Sequence, residues 1–293
     1  TQQVQAKNLK DLEKSYASNE DPDKDAELKQ AYRFLKQYLT LNRAELFFAD
    51  KAILIEGDTE RLILPAMMKK VDQNPAGPEE QPLLSQNISI VEVGAHSQTF
   101  EKFIDFVGIK SLVITDIDSN KQVPDAEDPT KMKSQKCRPD DEDALQTSNA
   151  SLKFFFKTDD LAFYKSLDFE CKSLSKTDEE GWQQETEGLL KVVYQIEEEG
   201  YHARSFEDAF FSINKAMLNV GKNSFPSLTK KHFEKYMNNE IDAFDFSENA
   251  VNSKPSLAIE ILLNSQADGD GVEFSNWEVP LYIKEGLLWL RKS

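Results

Sequence analysis

Cysteine is nearly absent. Cys137 and Cys171 are the only two in 293 residues, far apart and among charged neighbours. Neither a disulfide framework nor a CxxC metal or redox pair can be built from them, so a reducing, cytoplasmic setting is the expectation. Long apolar runs are missing too. The longest, around Lys51 to Glu56, falls far short of the roughly 20 residues that span a bilayer. Thr1-Gln2-Gln3 does not read as a secretory leader, so no membrane partner is expected, and a start at Thr suggests a piece of something longer. Basic charge is in deficit: 35 Lys and Arg against 52 Asp and Glu leave a net charge of −17. That argues against a chain that grips nucleic acid by a general basic surface. A local site stays open, because cations held by clustered carboxylates invert the field where they sit. His96, His202 and His232 show no HExxH spacing and read as satisfied or surface residues. No GxGxxG or GxSxG occurs, which removes the dinucleotide fingerprint and the serine-hydrolase elbow.

What is present suffices for a sizeable core, with 39% apolar and 10% aromatic residues. From Asp25 to about Phe48, Leu28, Tyr32, Leu35 and Leu39 recur at helical spacing. That stripe suits a homodimer contact or packing on the chain's own C-terminal helices. Ala52 to Ile55 reads as a strand, Glu56 to Glu60 as a turn, and Arg61 to Val71 as a helix that Asp58 or Thr59 can cap, with Pro65 bending it. The Pro- and Gly-containing stretch from Asp72 to Gln86 reads as a loop. A second strand is expected over Ile88–Val93, a helix over Ser97–Phe106, and a third strand over Ser111–Thr115. Lys121 to Ser148 looks like an exposed polar excursion, Lys153–Phe156 like a fourth strand, and Thr186–Glu199 like a helix. Strands alternating with helices imply βαβ units and a mostly parallel sheet. The pattern from Ala209 onward is mainly helical.

Two of the expected strands end in acids: Glu56, with Glu60 one helical turn later, and Asp116 with Asp118. In an open parallel sheet the carboxyl ends of the strands share one edge, where ligands bind. The two acidic groups should therefore meet there. Extended backbone would send Asp116 and Asp118 to one side. Clustered carboxylates repel one another unless cations lie between them, and hard oxygen ligands select Mg²⁺ or Mn²⁺. Gly57 would let the backbone approach a phosphate closely. The bland alternative is that such acids cap helices or face water, and Ser205 before Glu207 and Asp208 has the look of an ordinary helix start. Lys254 by itself reads as a surface lysine.

Glu56-Gly57 after one hydrophobic strand and Asp116-Ile117-Asp118 after another resemble the Toprim domain of topoisomerases, primases and several nucleases. Phe47 to Glu60, Arg204 to Phe210 and Ser253 to Ala258, in that order, resemble the C-terminal half of OLD-family (overcoming lysogenisation defect) nucleases, from about Ala44 to the C-terminus. The resemblance implies an α/β fold with a Toprim-like, mostly parallel four-stranded sheet flanked by helices and an additional helical domain. It divides the chain into an N-terminal helical segment at 1–48, a catalytic domain at 49–207 and a C-terminal helical region at 208–293. It further implies a DNA nuclease, nicking or exonucleolytic, that uses two divalent cations, Mg or Mn. Glu56, Glu60, Ser205 and Glu207 would hold one cation and Asp116 and Asp118 the other, with Glu56 and Lys254 taking part in catalysis at the scissile phosphate. Topoisomerase-type domains carry a third acid where this chain has Asn120. OLD-family proteins also carry an N-terminal ATPase, and Gly221-Lys222-Asn223-Ser224 lacks the preceding P-loop residues, so the chain reads as the nuclease half of such a protein.

Two other readings compete. Asp116-Ile117-Asp118 is similar to the first motif of haloacid-dehalogenase-like phosphatases, but that family expects Thr or Val where Asn120 stands, and Glu56-Gly57 is left unexplained. The acidic surface also suits a non-catalytic interaction module.

Overall fold

The computed structural model describes residues 9–16, 28–30, 32–33, 35–37, 46 and 48–292 apart from 178–180. Its centre is a six-stranded sheet made by β1 (Lys51–Ile55), β2 (Ile88–Glu92), β3 (Lys110–Ile114), β4 (Ser173–Thr177), β5 (Gly181–Gln184) and β6 (Leu190–Val193). The order across the sheet is β2-β1-β3-β6-β4-β5. The first four in that order are parallel, while β4 runs antiparallel to both β6 and β5.

The central strands are apolar on both faces because both faces are covered, as parallel sheets require. Ile53, Ile55, Leu112, Ile114 and Val193 point into one buried cluster, with residues of α1 (Asp58–Asp72), α4 (Phe206–Asn214), α5 (Lys254–Leu263) and α6 (Leu281–Arg291). Their alternates Ala52, Leu54, Val113 and Val192 point into the other, with α2 (Glu101–Val107) and α3 (Ala150–Phe156). Helix α6 comes close to the sheet at Gly286, where an added Cβ would lie 3.0 Å from Leu112 Cδ1 and 3.3 Å from Val193 Cγ2.

Several local expectations need correction. Lys153–Phe156 is helical, as part of α3: the Asn149 side chain accepts from the Leu152 N–H and starts the helix, and Phe155 is buried while Phe154 is exposed. The fourth parallel strand is instead Leu190–Val193, inside the stretch expected to be helical. The polar excursion contains an antiparallel three-stranded sheet of Ser119–Pro124, Met132–Lys136 and Gln146–Thr147. At the start of α1, Gly57 occupies the N-cap position without a side-chain cap. Asp58 instead accepts from Arg61 at 2.7 Å, and the Thr59 hydroxyl donates to Glu207. Helix α1 runs on through Pro65.

The N-terminal stripe packs against the sheet face opposite the C-terminal helices: Leu35 is buried in the second cluster, with Leu28 and Tyr32 against it. Leu39 of that stripe lies outside the described residues. Among the described residues no helix is long and apolar enough to cross a membrane.

Candidate functional site

The carboxyl ends of β1 and β3 are neighbours, so the residues that follow them share one edge of the sheet. Glu56, directly after β1, accepts from the Asp116 N–H at 3.2 Å, from Asn149 Nδ2 at 2.9 Å and from the Thr115 hydroxyl. Extended geometry does not persist to Asp118: β3 ends at Ile114, and Asp118 has a φ of 48°, in the left-handed region that Asp tolerates. Asp118 accepts from Arg204, with 2.7 Å between Oδ1 and Nη2. Asp116 accepts from Gln195 Nε2 at 2.7 Å.

Two helix starts bring further acids to the same place. Glu60 is in the first turn of α1 and Glu207 in the first turn of α4, where unpaired backbone N–H groups favour negative charge. Thr59 joins these turns by donating to Glu207 Oε1 at 3.3 Å. Gly57 is extended, with φ −148° and ψ 179°, so its conformation makes no demand for glycine. What it provides is room, since a Cβ there would lie 3.3 Å from Glu60 Oε2. Ser205 is the N-cap residue of α4. The Asp208 carboxylate accepts from the Arg204 and Ser205 N–H groups at 2.9 Å each and lies 3.4 Å from the Ser205 hydroxyl. Lys254 opens α5, which is capped by Ser253 and has Pro255 in its first turn, and its Nζ donates to Glu207 Oε2 at 2.9 Å.

The electrostatics record how closely these acids are gathered. Burial raises the Glu60 pKa to about 8, and Glu207 and Glu56 add to the rise. Asp116 is pushed well up by burial and by Glu56, Glu60, Asp118 and Glu207. Burial also raises Glu56, with Asp118 adding to the effect and the Thr115 and Asn149 donors opposing it. Local desolvation disfavours the Lys254 ammonium even though its side chain is 62% exposed, but Glu207, Asp116 and Glu60 more than offset this and hold its pKa above the ordinary lysine range.

The sequence from Phe47 into the second acidic pair is where the family comparison falls. Residues 47–118 match the family described as "Overcoming lysogenization defect protein-like, TOPRIM domain". The chain carries an OLD-like TOPRIM domain. It is 27% identical over 275 residues to a Bacillus cereus (strain HuB5-5) protein named Endonuclease GajA, a match covering 90% of this chain and 34% of that protein. The chain thus spans about a third of the length of this curated relative. Two solved structures are also similar. The C-terminal region of the Xanthomonas campestris pv. campestris OLD protein has 17% identity and a TM-score of 0.43, covering 84% of this chain and 94% of that one. The C-terminal region of the Burkholderia pseudomallei OLD protein has 19% identity and a TM-score of 0.41, covering 83% and 97%.

Glu56, Glu60, Asp116 and Asp118 lie within the matched OLD-like TOPRIM residues, whereas Ser205, Glu207 and Lys254 come from later in the chain. Asn149, Gln195 and Arg204 also contact these acids, and of the three only Arg204 falls within a segment that carries the family resemblance. The donor set suits a hard divalent cation, being carboxylate oxygens that burial and mutual repulsion keep from ionising freely. Among the described residues, no three His, Cys, Asp or Glu side chains are already arranged to hold a metal ion. Within this cluster Asp116, Asp118 and Glu207 accept from Gln195, Arg204 and Lys254 respectively. His202 and His232 take no part; the first meets the Gln195 carbonyl at 3.1 Å and the second the Thr229 hydroxyl at 2.8 Å.

Proposed function

We propose that this chain is the catalytic region of a metal-dependent DNA nuclease, acting as a nicking endonuclease, an exonuclease or both, within a longer protein that also carries an ATPase. The observation that carries the reading is the convergence of Glu56, Glu60, Asp116, Asp118 and Glu207, where burial and then the neighbouring acids raise the pKa values of Glu56, Glu60 and Asp116. A fold keeps such a cluster at a cost unless a cation offsets it. The relative named Endonuclease GajA supports the activity.

Two divalent cations, Mg²⁺ or Mn²⁺, would supply an activated water and stabilise the departing oxygen of a phosphodiester. Glu56, Glu60, Ser205 and Glu207 would hold one, and Asp116 and Asp118 the other. The exposed Lys254 ammonium would neutralise charge that builds on the phosphate. Arg204 orients Asp118 through the pair at 2.7 Å. The haloacid-dehalogenase-like reading gives Glu56, Glu60 and Glu207 no part.

The test is supercoiled plasmid incubated with the chain and Mg²⁺, Mn²⁺ or chelator, beside an Asp116→Asn variant. Nicked or linear product is expected with metal alone and is lost in the variant. Cleavage in chelator, or full cleavage by the variant, would overturn the reading.

A further inference from the structure

Among the described residues, the donors that reach Glu56 all fall on Oε1: the Thr115 hydroxyl, the Asp116 N–H and Asn149 Nδ2. Asp116 is treated alike, with Gln195 Nε2 on Oδ1 at 2.7 Å. In both cases the side chains that do the holding are neutral, and an amide is among them. Glu207 and Asp118 differ, since each is paired with a cationic side chain. A neutral donor fixes one carboxylate oxygen without cancelling the charge, leaving the second oxygen as a strong ligand.

Each amide is itself locked. Asn149 is 2% exposed, and its Oδ1 accepts from the Leu152 N–H at 3.0 Å. Its Nδ2 also reaches Thr115 Oγ1 at 2.8 Å and the Asp116 carbonyl at 2.9 Å, so one side chain joins the ends of β1 and β3. Gln195 is 1% exposed; its Oε1 accepts from the Ile117 N–H at 2.7 Å, and its Nε2 also reaches the Tyr282 hydroxyl at 3.1 Å. Leu152 and Ile117 offer only N–H groups here, so a flipped amide would set donor against donor. The backbone therefore dictates which end of each amide faces the acids.

We infer that Asn149 and Gln195 are positioning residues of the acidic site, each fixing one oxygen of Glu56 or Asp116 so that the other meets a divalent cation at full charge. The inference rests on the metal-dependent reading above and adds which residues set the ligand oxygens. If Asn149 served only as a helix cap, serine would replace it without consequence for metal.

Asn149→Ser keeps a capping oxygen and removes the amide donors; Gln195→Met keeps the side-chain length and removes its hydrogen bonds. Mn²⁺ binding to the metal-free chain is followed by calorimetry, melting is measured in chelator, and plasmid cleavage is measured against Mn²⁺ concentration. Asn149→Ser should weaken Mn²⁺ binding about 10–100-fold, melt near the wild type, and recover cleavage as Mn²⁺ is raised. Gln195→Met should show the same displaced metal dependence. If Gln195→Met does not fold, Asn149→Ser decides alone. Wild-type Mn²⁺ affinity in Asn149→Ser overturns the inference, as does weakened binding that only tracks lost folded protein and does not recover at high Mn²⁺. A wild-type chain that binds no Mn²⁺ overturns the preceding reading and this one together. Wild-type binding with unaltered variants overturns this one alone.

Discussion

Glu60 titrates near 4.5 when free and near 8 in the folded chain, because burial and then Glu207 disfavour its charge. As pH rises, the unfolded chain therefore loses this proton first. The stability tied to Glu60 is complete below about 4.5 and drains away through about 8. Asp208, raised by burial to about 7, has the same sign. In chelator the melting temperature should fall across this range, and fall less in Glu60→Gln. The difference between the two curves isolates Glu60 from other titrating groups. Mn²⁺ should flatten the wild-type fall, because a cation favours the ionised acids. Identical wild-type and Glu60→Gln curves would contradict the assignment.

At the same scale, Lys254→Ala removes a donor from Glu207 but no ligand oxygen. Single-turnover cleavage should slow about 10²–10³-fold with Mn²⁺ affinity kept. Normal cleavage would show that Lys254 serves only as the partner of Glu207.

The elements explain what was legible beforehand. β1 and β3 stand out as short aliphatic runs ending in acids, and those ends do sit side by side. Leu190–Val193 did not stand out. A strand buried on both faces has no alternation, and its four residues sit among polar and acidic ones that read as a helix. Lys153–Phe156 misled for the opposite reason: three aromatics favour a strand by propensity, but the Asn149 cap and the burial of Leu152 and Phe155 on one face make it helical. Met132–Lys136 is exposed throughout, so no apolar pattern could announce it. The amides of Asn149 and Gln195 gave no signal because their partners lie far along the chain.

Element α4 also carries a prediction. Asp208 is fully buried and accepts from the two backbone N–H groups that open the helix bearing Glu207. Asp208→Ala leaves those donors unpaired and should cost about 1–3 kcal/mol in denaturant unfolding. A variant as stable as the wild type would show that water replaces the carboxylate.

For the whole molecule, the site is assembled from distant parts: the ends of β1 and β3 and the starts of α1, α4 and α5. Helix α6 closes against the sheet at Gly286 and brings Tyr282 to Gln195, so this helix supports the acidic edge of the sheet. A net charge of −17 gives a polyanion little reason to approach without cations at that edge. Calorimetric titration of Mn²⁺ into the metal-free chain, beside Asp116→Asn with its melting temperature as a control for folding, tests this cation-holding edge most directly. Two cations per chain are expected in the wild type, with at least one lost in a folded Asp116→Asn. No binding to the wild type, or the same binding in the variant, would contradict it.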